Sequence, residues 1–137
     1  MLMYDEQHLQ ARLVRRLTAD RSVKVRVHVD RGAFLKRTCH QQASRLKTLF
    51  DLGAKVFLCR GVKVDGVFHH KLVVTNKRYA WSGGGNLTKA SRHKNRELLL
   101  KLVGPGVQKM LASVSEARLT AEDWTIHFEK KFPTSIL

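Results

Sequence analysis

The sequence places a histidine and a lysine two residues apart, at His69 and Lys71, inside the apolar stretch 67–75. On an extended strand such residues point to the same face, whereas His70 points to the other face and is expected to be structural or at the surface. An imidazole beside an ammonium group suits a phosphate, because lysine neutralises the oxygens and histidine can attack phosphorus or transfer protons. A basic chain also produces this spacing by chance, so the pair by itself is weak support for catalysis.

A glycine loop and a carboxylate follow the pair along the chain. The loop is the segment 83–86, Gly-Gly-Gly-Asn, where backbone N–H groups can approach an anion closely and Asn86 adds a side-chain donor. A hairpin would return this loop to the side of His69 and Lys71. Downstream, Glu97 enters an apolar run, where a carboxylate is costly unless it has a partner such as a histidine that it orients. Taken singly, the loop also fits a tight turn, and Glu97 fits a solvated strand edge.

The order of these residues resembles the phospholipase D superfamily, whose pattern is H-x-K-x4-D, then G-S-x-N, then a downstream glutamate. The matching positions here are His69, Lys71, Asn76, the loop 83–86 and Glu97. The stretch 86–97 is similar to the small bacterial endonucleases of that superfamily, and the resemblance extends over most of the chain. It implies an α/β fold in which a mixed, mostly parallel sheet is flanked by helices.

The resemblance also implies a role for each matching residue. His69 would attack phosphorus and form a phosphohistidine, or would protonate the leaving oxygen. Lys71 and Asn86 would hold the phosphoryl oxygens, and Glu97 would form a hydrogen bond to His69. The family needs two such motifs for each site and this chain has one, so we expect a two-fold homodimer with the site across its interface. The resemblance calls for no metal and no other cofactor.

Two positions depart from the family pattern. Asn76 stands where the pattern has aspartate, and Gly84 stands where it has serine. Both are expected near the substrate. Because losing one supporting donor can cost a few kcal/mol of transition-state stabilisation, a weakly active or inactive member that still binds nucleic acid is one alternative.

The charge of the chain indicates the class of partner. Lys and Arg number 26 against 11 Asp and Glu, a formal net charge of +15. Nucleic acid, DNA or RNA, is therefore the expected partner, and Arg92 and Lys94 after the loop are candidate backbone contacts. An anionic membrane surface is a second possible partner, which keeps a phospholipid hydrolase of the cardiolipin type as an alternative. Singly, each charge fits a solvated face.

Hydrophobic periodicity predicts the elements that must position these residues. Helices are expected over 6–17, 38–52 and 107–119, and strands over 23–29, 54–59, 67–75, 78–81 and 98–103. The last of these strands is an apolar run and is expected to be buried. Asp30-Arg31-Gly32 is expected to be a turn, and Asn76-Lys77 the turn of a hairpin.

The whole chain, residues 1–137, is expected to be one domain. Its hydrophobic fraction of 43% suits a globular core, and no apolar run is long enough to span a bilayer. Residues 1–4 resemble the end of a strand, so we expect a natural chain that is longer upstream. The cysteines, Cys39 and Cys59, make no disulfide framework, and we expect an intracellular, cytoplasmic setting.

Overall fold

The computed structural model describes residues 7–35, 40–63, 65–86 and 88–118. In chain order the elements are α1 (Gln7–Ala19), β1 (Arg26–Asp30), α2 (Arg31–Leu35), α3 (His40–Asp51), β2 (Lys55–Cys59), β3 (Leu72–Thr75), β4 (Tyr79–Gly83), α4 (Lys89–His93), β5 (Leu99–Val103) and α5 (Gly106–Arg118). Helices and strands alternate over much of this order, which confirms the α/β class.

The described strands form two sheets. β1 and β2 pair in parallel, with Arg26 opposite Lys55 and Asp30 opposite Cys59. β3, β4 and β5 form an antiparallel sheet in that order. The described strands thus include both parallel and antiparallel pairs, as a mixed fold requires. A short turn joins the antiparallel strands β3 and β4. Parallel strands need a crossover of a dozen residues or more, and α2 and α3 supply it between β1 and β2.

The hairpin between β3 and β4 turns where the sequence predicts. Asn76 and Lys77 have φ of 52° and 55°, and the N–H of Arg78 donates to the carbonyl of Thr75 at 3.1 Å. Two successive left-handed residues define a type I′ turn, which matches the twist of the strands and favours asparagine. The turn fixes the register that places Leu72 opposite Ser82.

The core lies around the parallel pair. Val29 of β1, Val56 and Leu58 of β2, and Leu46 and Leu49 of α3 are all fully buried. The apolar stripe of α1 packs on the same cluster, as its helical spacing predicts. β1, β2 and α3 together therefore form the hydrophobic core of the described chain.

Two expectations about local structure are corrected. Residues 31–35 form the short helix α2 rather than a turn, because Oδ2 of Asp30 accepts a hydrogen bond from the N–H of Ala33 and caps the helix. β5 is not buried: Leu99 is 64% exposed and Leu100 is 58% exposed. The cause is its place as the outer strand of the three-stranded sheet. Within the described residues, no helix is long and apolar enough to cross a bilayer.

Candidate active site

His69 and Lys71 are in direct contact. The Lys71 ammonium donates to the imidazole of His69, with 2.8 Å between Nζ and Nδ1, and it lies 3.3 Å from the His69 carbonyl oxygen. The contact forms although residues 66–71 have no regular secondary structure and β3 begins only at Leu72. His69 is exposed, so its ring is accessible to a substrate.

A buried carboxylate fixes the backbone just before this pair. Asp30, at the end of β1, is 3% exposed, and its Oδ1 accepts a hydrogen bond from the N–H of Phe68 at 2.8 Å. Its other oxygen caps α2 at Ala33, also at 2.8 Å. The Phe68 side chain is itself 4% exposed, so the residue preceding His69 is held by both its backbone and its ring. Sequence analysis missed Asp30, although a carboxylate that ends an apolar strand is a signal for a buried partner.

Burial sets the protonation of Lys71. Partial removal from water lowers the pKa of Lys71 below its ordinary value of 10.5, and the charge of Glu97 raises it in part. The carboxylate is thus close enough to act on the ammonium. The lowered pKa means that this lysine releases its proton more readily than a lysine in water.

The glycine loop passes beside Lys71 because of strand pairing. The N–H of Gly83 donates to the carbonyl of Lys71 at 3.4 Å, and Gly83 is paired with Leu99 on β5. A Cβ at Gly83 would stand 2.1 Å from the Leu98 carbonyl oxygen, so only glycine allows β4 and β5 to approach this closely. The loop is therefore held between the His69 segment and β5.

Glu97 lies over the same loop, and its bonding differs from what the family resemblance implies. A Cβ at Gly85 would come within 2.9 Å of the Glu97 carboxyl carbon. Oε1 of Glu97 accepts a hydrogen bond from Asn95 at 3.2 Å. Among the described residues, the side chain hydrogen-bonded to His69 is Lys71, whereas Glu97 is bonded to Asn95. Glu97 acts on Lys71 through its charge.

Two cavities flank the loop, and together they hold most of the predicted site residues. The inner cavity, as we call it, is lined by His69, Lys71 and Gly84 together with Lys109 and Ser113 of α5. The outer cavity is lined by Asn86 and Glu97 on one side and by His8 and Arg12 of α1 on the other. The α1 and α5 residues were missed, since sequence spacing cannot show which helix faces the loop.

Three predicted contacts lie elsewhere. Asn76 is an exposed turn residue that follows β3, whereas Lys71 precedes it, so the length of the strand, about 15 Å, separates the two. The structure places Asn76 in the turn, and its role at the substrate stays a prediction. Arg92 lies within α4, and Lys94 is the exposed residue that ends this helix. Lys94 does not line either cavity.

No metal centre is evident in the described part of the chain, where no three His, Cys, Asp or Glu side chains converge to hold an ion. The chemistry that the site offers rests on its own groups. It has an accessible imidazole, an ammonium group, loop N–H groups and an amide side chain, which line the two cavities beside the loop. Such donors match the oxygens of a phosphodiester, and the imidazole can attack its phosphorus.

Comparisons with known proteins agree with this picture. A profile of the family described as "Cardiolipin synthase, PLD-like domain" matches residues 1–118. The fold is similar to that of Nuc from Salmonella typhimurium, a phospholipase D family member, with a TM-score of 0.74, 16% identity, and coverage of 89% of this chain and 76% of that chain. It is also similar to NucT from Helicobacter pylori, with a TM-score of 0.75, 18% identity, and coverage of 88% and 77%. No curated protein matches the sequence significantly.

Proposed function

Since this chain belongs to the PLD-like domain family of the phospholipase D superfamily, we propose that it hydrolyses phosphodiester bonds of a nucleic acid. The observation that carries the proposal is the contact between the Lys71 ammonium and the accessible His69 imidazole, beside a glycine loop. An incoming phosphate offers the ammonium a charged acceptor in place of the imidazole. The ring is then free to act on phosphorus.

The proposed reaction has two steps. A ring nitrogen of His69 attacks phosphorus, a P–N bond forms, and the bond from phosphorus to the leaving oxygen breaks. A proton passes to that oxygen from a second acid. Water then attacks the phosphohistidine and gives its proton back to the second group, the P–N bond breaks, and the imidazole is restored. Lys71, the loop N–H groups and Asn86 stabilise the charge on the phosphoryl oxygens.

The second acid is proposed to be His69 of another copy, in a two-fold homodimer. The exposed apolar run next to Glu97 supports this arrangement: Leu98 is 72% exposed, and Leu99, Leu100 and Val103 are each at least 58% exposed. Alternation along β5 places Leu100 on one face of this outer strand and Leu99 and Val103 on the other, and exposed apolar side chains of this kind are typical of protein–protein interfaces. Because the run adjoins the outer cavity, a copy packed on it would lie next to the site.

Charge favours nucleic acid as the substrate. A net charge of +15 attracts a polyanion, and the cavities add Arg12 and Lys109 to the charge of Lys71. One observation favours a second candidate, a phospholipid phosphodiester, because the matching family is described by a cardiolipin synthase. Both substrates contain a phosphodiester, which is flanked by nucleosides in a nucleic acid and by lipid groups in a phospholipid.

The testing experiment is cleavage of labelled single-stranded DNA, double-stranded DNA and RNA in excess EDTA, with anionic phospholipid vesicles as a parallel substrate. We expect EDTA-resistant cleavage of nucleic acid that falls at least a hundredfold in His69→Ala. His93→Ala is the matched control, since His93 is exposed on α4 and does not line either cavity. Hydrolysis of the vesicles alone would favour the lipid candidate. Salt-sensitive DNA binding without cleavage would favour a domain that binds nucleic acid only.

A further inference from the structure

The outer cavity has a basic wall that the proposed reaction does not use. His8 and Arg12 lie four residues apart on α1, so they share one face of the helix, and both side chains are exposed. Leu9, Leu13 and Val14 on the neighbouring face pack on the core and fix the rotation of the helix. The opposite wall of the cavity is the loop residue Asn86, with Glu97 beside it.

Arg12 is available to bind a ligand. Within the described residues it forms no salt bridge, whereas Arg16, one turn further along α1, lies 3.7 Å from Asp20. Glu97, the carboxylate in the same cavity, is bonded to Asn95 instead. Within the described residues, a guanidinium with no ion-pair partner therefore lines the same cavity as Asn86, which is proposed to hold the phosphoryl oxygens.

We propose that Arg12, assisted by His8, binds a second phosphate of the nucleic acid, next to the one that is cleaved. The proposal rests on the proposed function, because it places the reacting phosphate between His69 and Asn86. The planar guanidinium can form two parallel hydrogen bonds to phosphate oxygens, and His8 can add one more donor. The strand would then extend from the inner cavity across the loop to α1, and a substrate would need at least two phosphates to fill both sites.

The dependence on substrate length gives the test. In the His69→Ala background, which removes turnover, the affinity of Arg12→Ala for a single-stranded DNA of about twelve nucleotides should fall about fivefold to tenfold. The slope of log K against log salt should fall by about 0.7, the value for one phosphate contact on a single strand. With otherwise wild-type enzyme, Arg12→Ala should raise KM for the same strand but leave cleavage of a dinucleotide, which has one phosphodiester, unchanged.

Arg15→Ala is the matched control. It removes the same charge from the same helix, is equally exposed and does not line the outer cavity. The proposal requires a smaller loss and a smaller change of salt slope in Arg15→Ala, while Arg12→Lys keeps most of the slope. Equal effects of the two alanine variants, or an Arg12→Ala defect that is as large on the dinucleotide, would overturn it.

The experiment also separates this inference from the proposed function. If the wild-type chain cleaves no phosphodiester, the proposed function fails, while the binding series in the His69→Ala background still tests the second phosphate site. If cleavage occurs but the length dependence of Arg12→Ala is absent, only the second site fails. Binding of phospholipid vesicles with no binding of oligonucleotides would overturn the choice of nucleic acid.

Discussion

The carboxylate of Asp30 joins β1, α2 and the backbone before His69, and replacing it tests how the site is held. In Asp30→Ala both acceptors are lost, which leaves the N–H groups of Ala33 and Phe68 without their carboxylate partner. Both residues are less than 9% exposed, so water reaches these groups poorly. The substitution should therefore destabilise the fold and also release the segment that carries the proposed nucleophile.

The two hydrogen bonds set the size of the effect. Each bond to a charged acceptor contributes about 1.5–3 kcal/mol, and the one to Ala33 includes the helix cap. We expect Asp30→Ala to lower the free energy of unfolding by about 3–5 kcal/mol, a large part of the roughly 5–15 kcal/mol of a domain. At about 3 °C per kcal/mol for this chain length, the Tm should fall by about 10 °C. Asp30→Asn keeps one oxygen and should lose about half as much.

Urea denaturation followed by circular dichroism measures these differences, with an unchanged slope showing that the denatured state is comparable. Asp51→Ala is the control, because Asp51 is exposed and its ion pair with Lys47 at 2.7 Å on α3 should contribute less than about 0.5 kcal/mol. At a temperature where Asp30→Ala is folded, its cleavage rate should still be reduced. A free energy of unfolding within about 1 kcal/mol of the wild type would refute the argument.

Three further predictions concern the site and its surroundings. Burial lowers the pKa of Lys71, so its positive charge should be lost at a pH below 10.5 as the pH rises. The affinity for an oligonucleotide should fall with that charge. Lys71→Arg stays protonated and should show no such fall when Kd is measured against pH. Gly84→Ser should raise the cleavage rate about tenfold, since its Cβ would sit an ordinary 3.5 Å from Oε2 of Glu97. Asn76→Asp, at the far end of β3, should change the cleavage rate less than about twofold. A gain in Asn76→Asp as large as that in Gly84→Ser would contradict the placement of Asn76. Leu100→Lys on the exposed β5 should yield a monomer by light scattering with little activity, whereas a fully active monomer would contradict the homodimer.

Local signals predicted the parts of the fold that local interactions determine. The apolar spacing of α3 and the left-handed Gly53 that follows it, with φ of 92°, agree with the predicted helix and its end. The turn at Asn76 and Lys77 agrees for the same reason, since both residues must adopt positive φ. The exposure of β5 could not be predicted, because an apolar run is the same whether its strand lies inside a sheet or at its edge.

The site was predictable in its residue types and only partly in its assembly. The two-residue spacing predicted that His69 and Lys71 lie side by side on a strand. The contact instead forms on an irregular segment. The course of that segment depends on the hydrogen bond from Phe68 to Asp30, which lies 38 residues earlier in the chain. Spacing along the sequence also could not show whether Glu97 or Lys71 forms the hydrogen bond to the His69 ring, and in the structure it is Lys71. Arg12 and Lys109 were beyond prediction, because only tertiary packing brings α1 and α5 to the loop.

The charges of Lys71 and Glu97 explain why the site suits a phosphate. Burial works against the charge of Lys71, and the carboxylate of Glu97 offsets only part of that cost. A bound phosphodiester brings a further negative charge against the ammonium, so binding must raise the pKa of Lys71 again. By linkage, the protonated lysine binds the phosphate more tightly than the neutral one by the same factor. Burial lowers the pKa of Lys71 in the free protein and a bound phosphate would raise it, so we expect the charge of Lys71 to respond to a phosphate bound beside it.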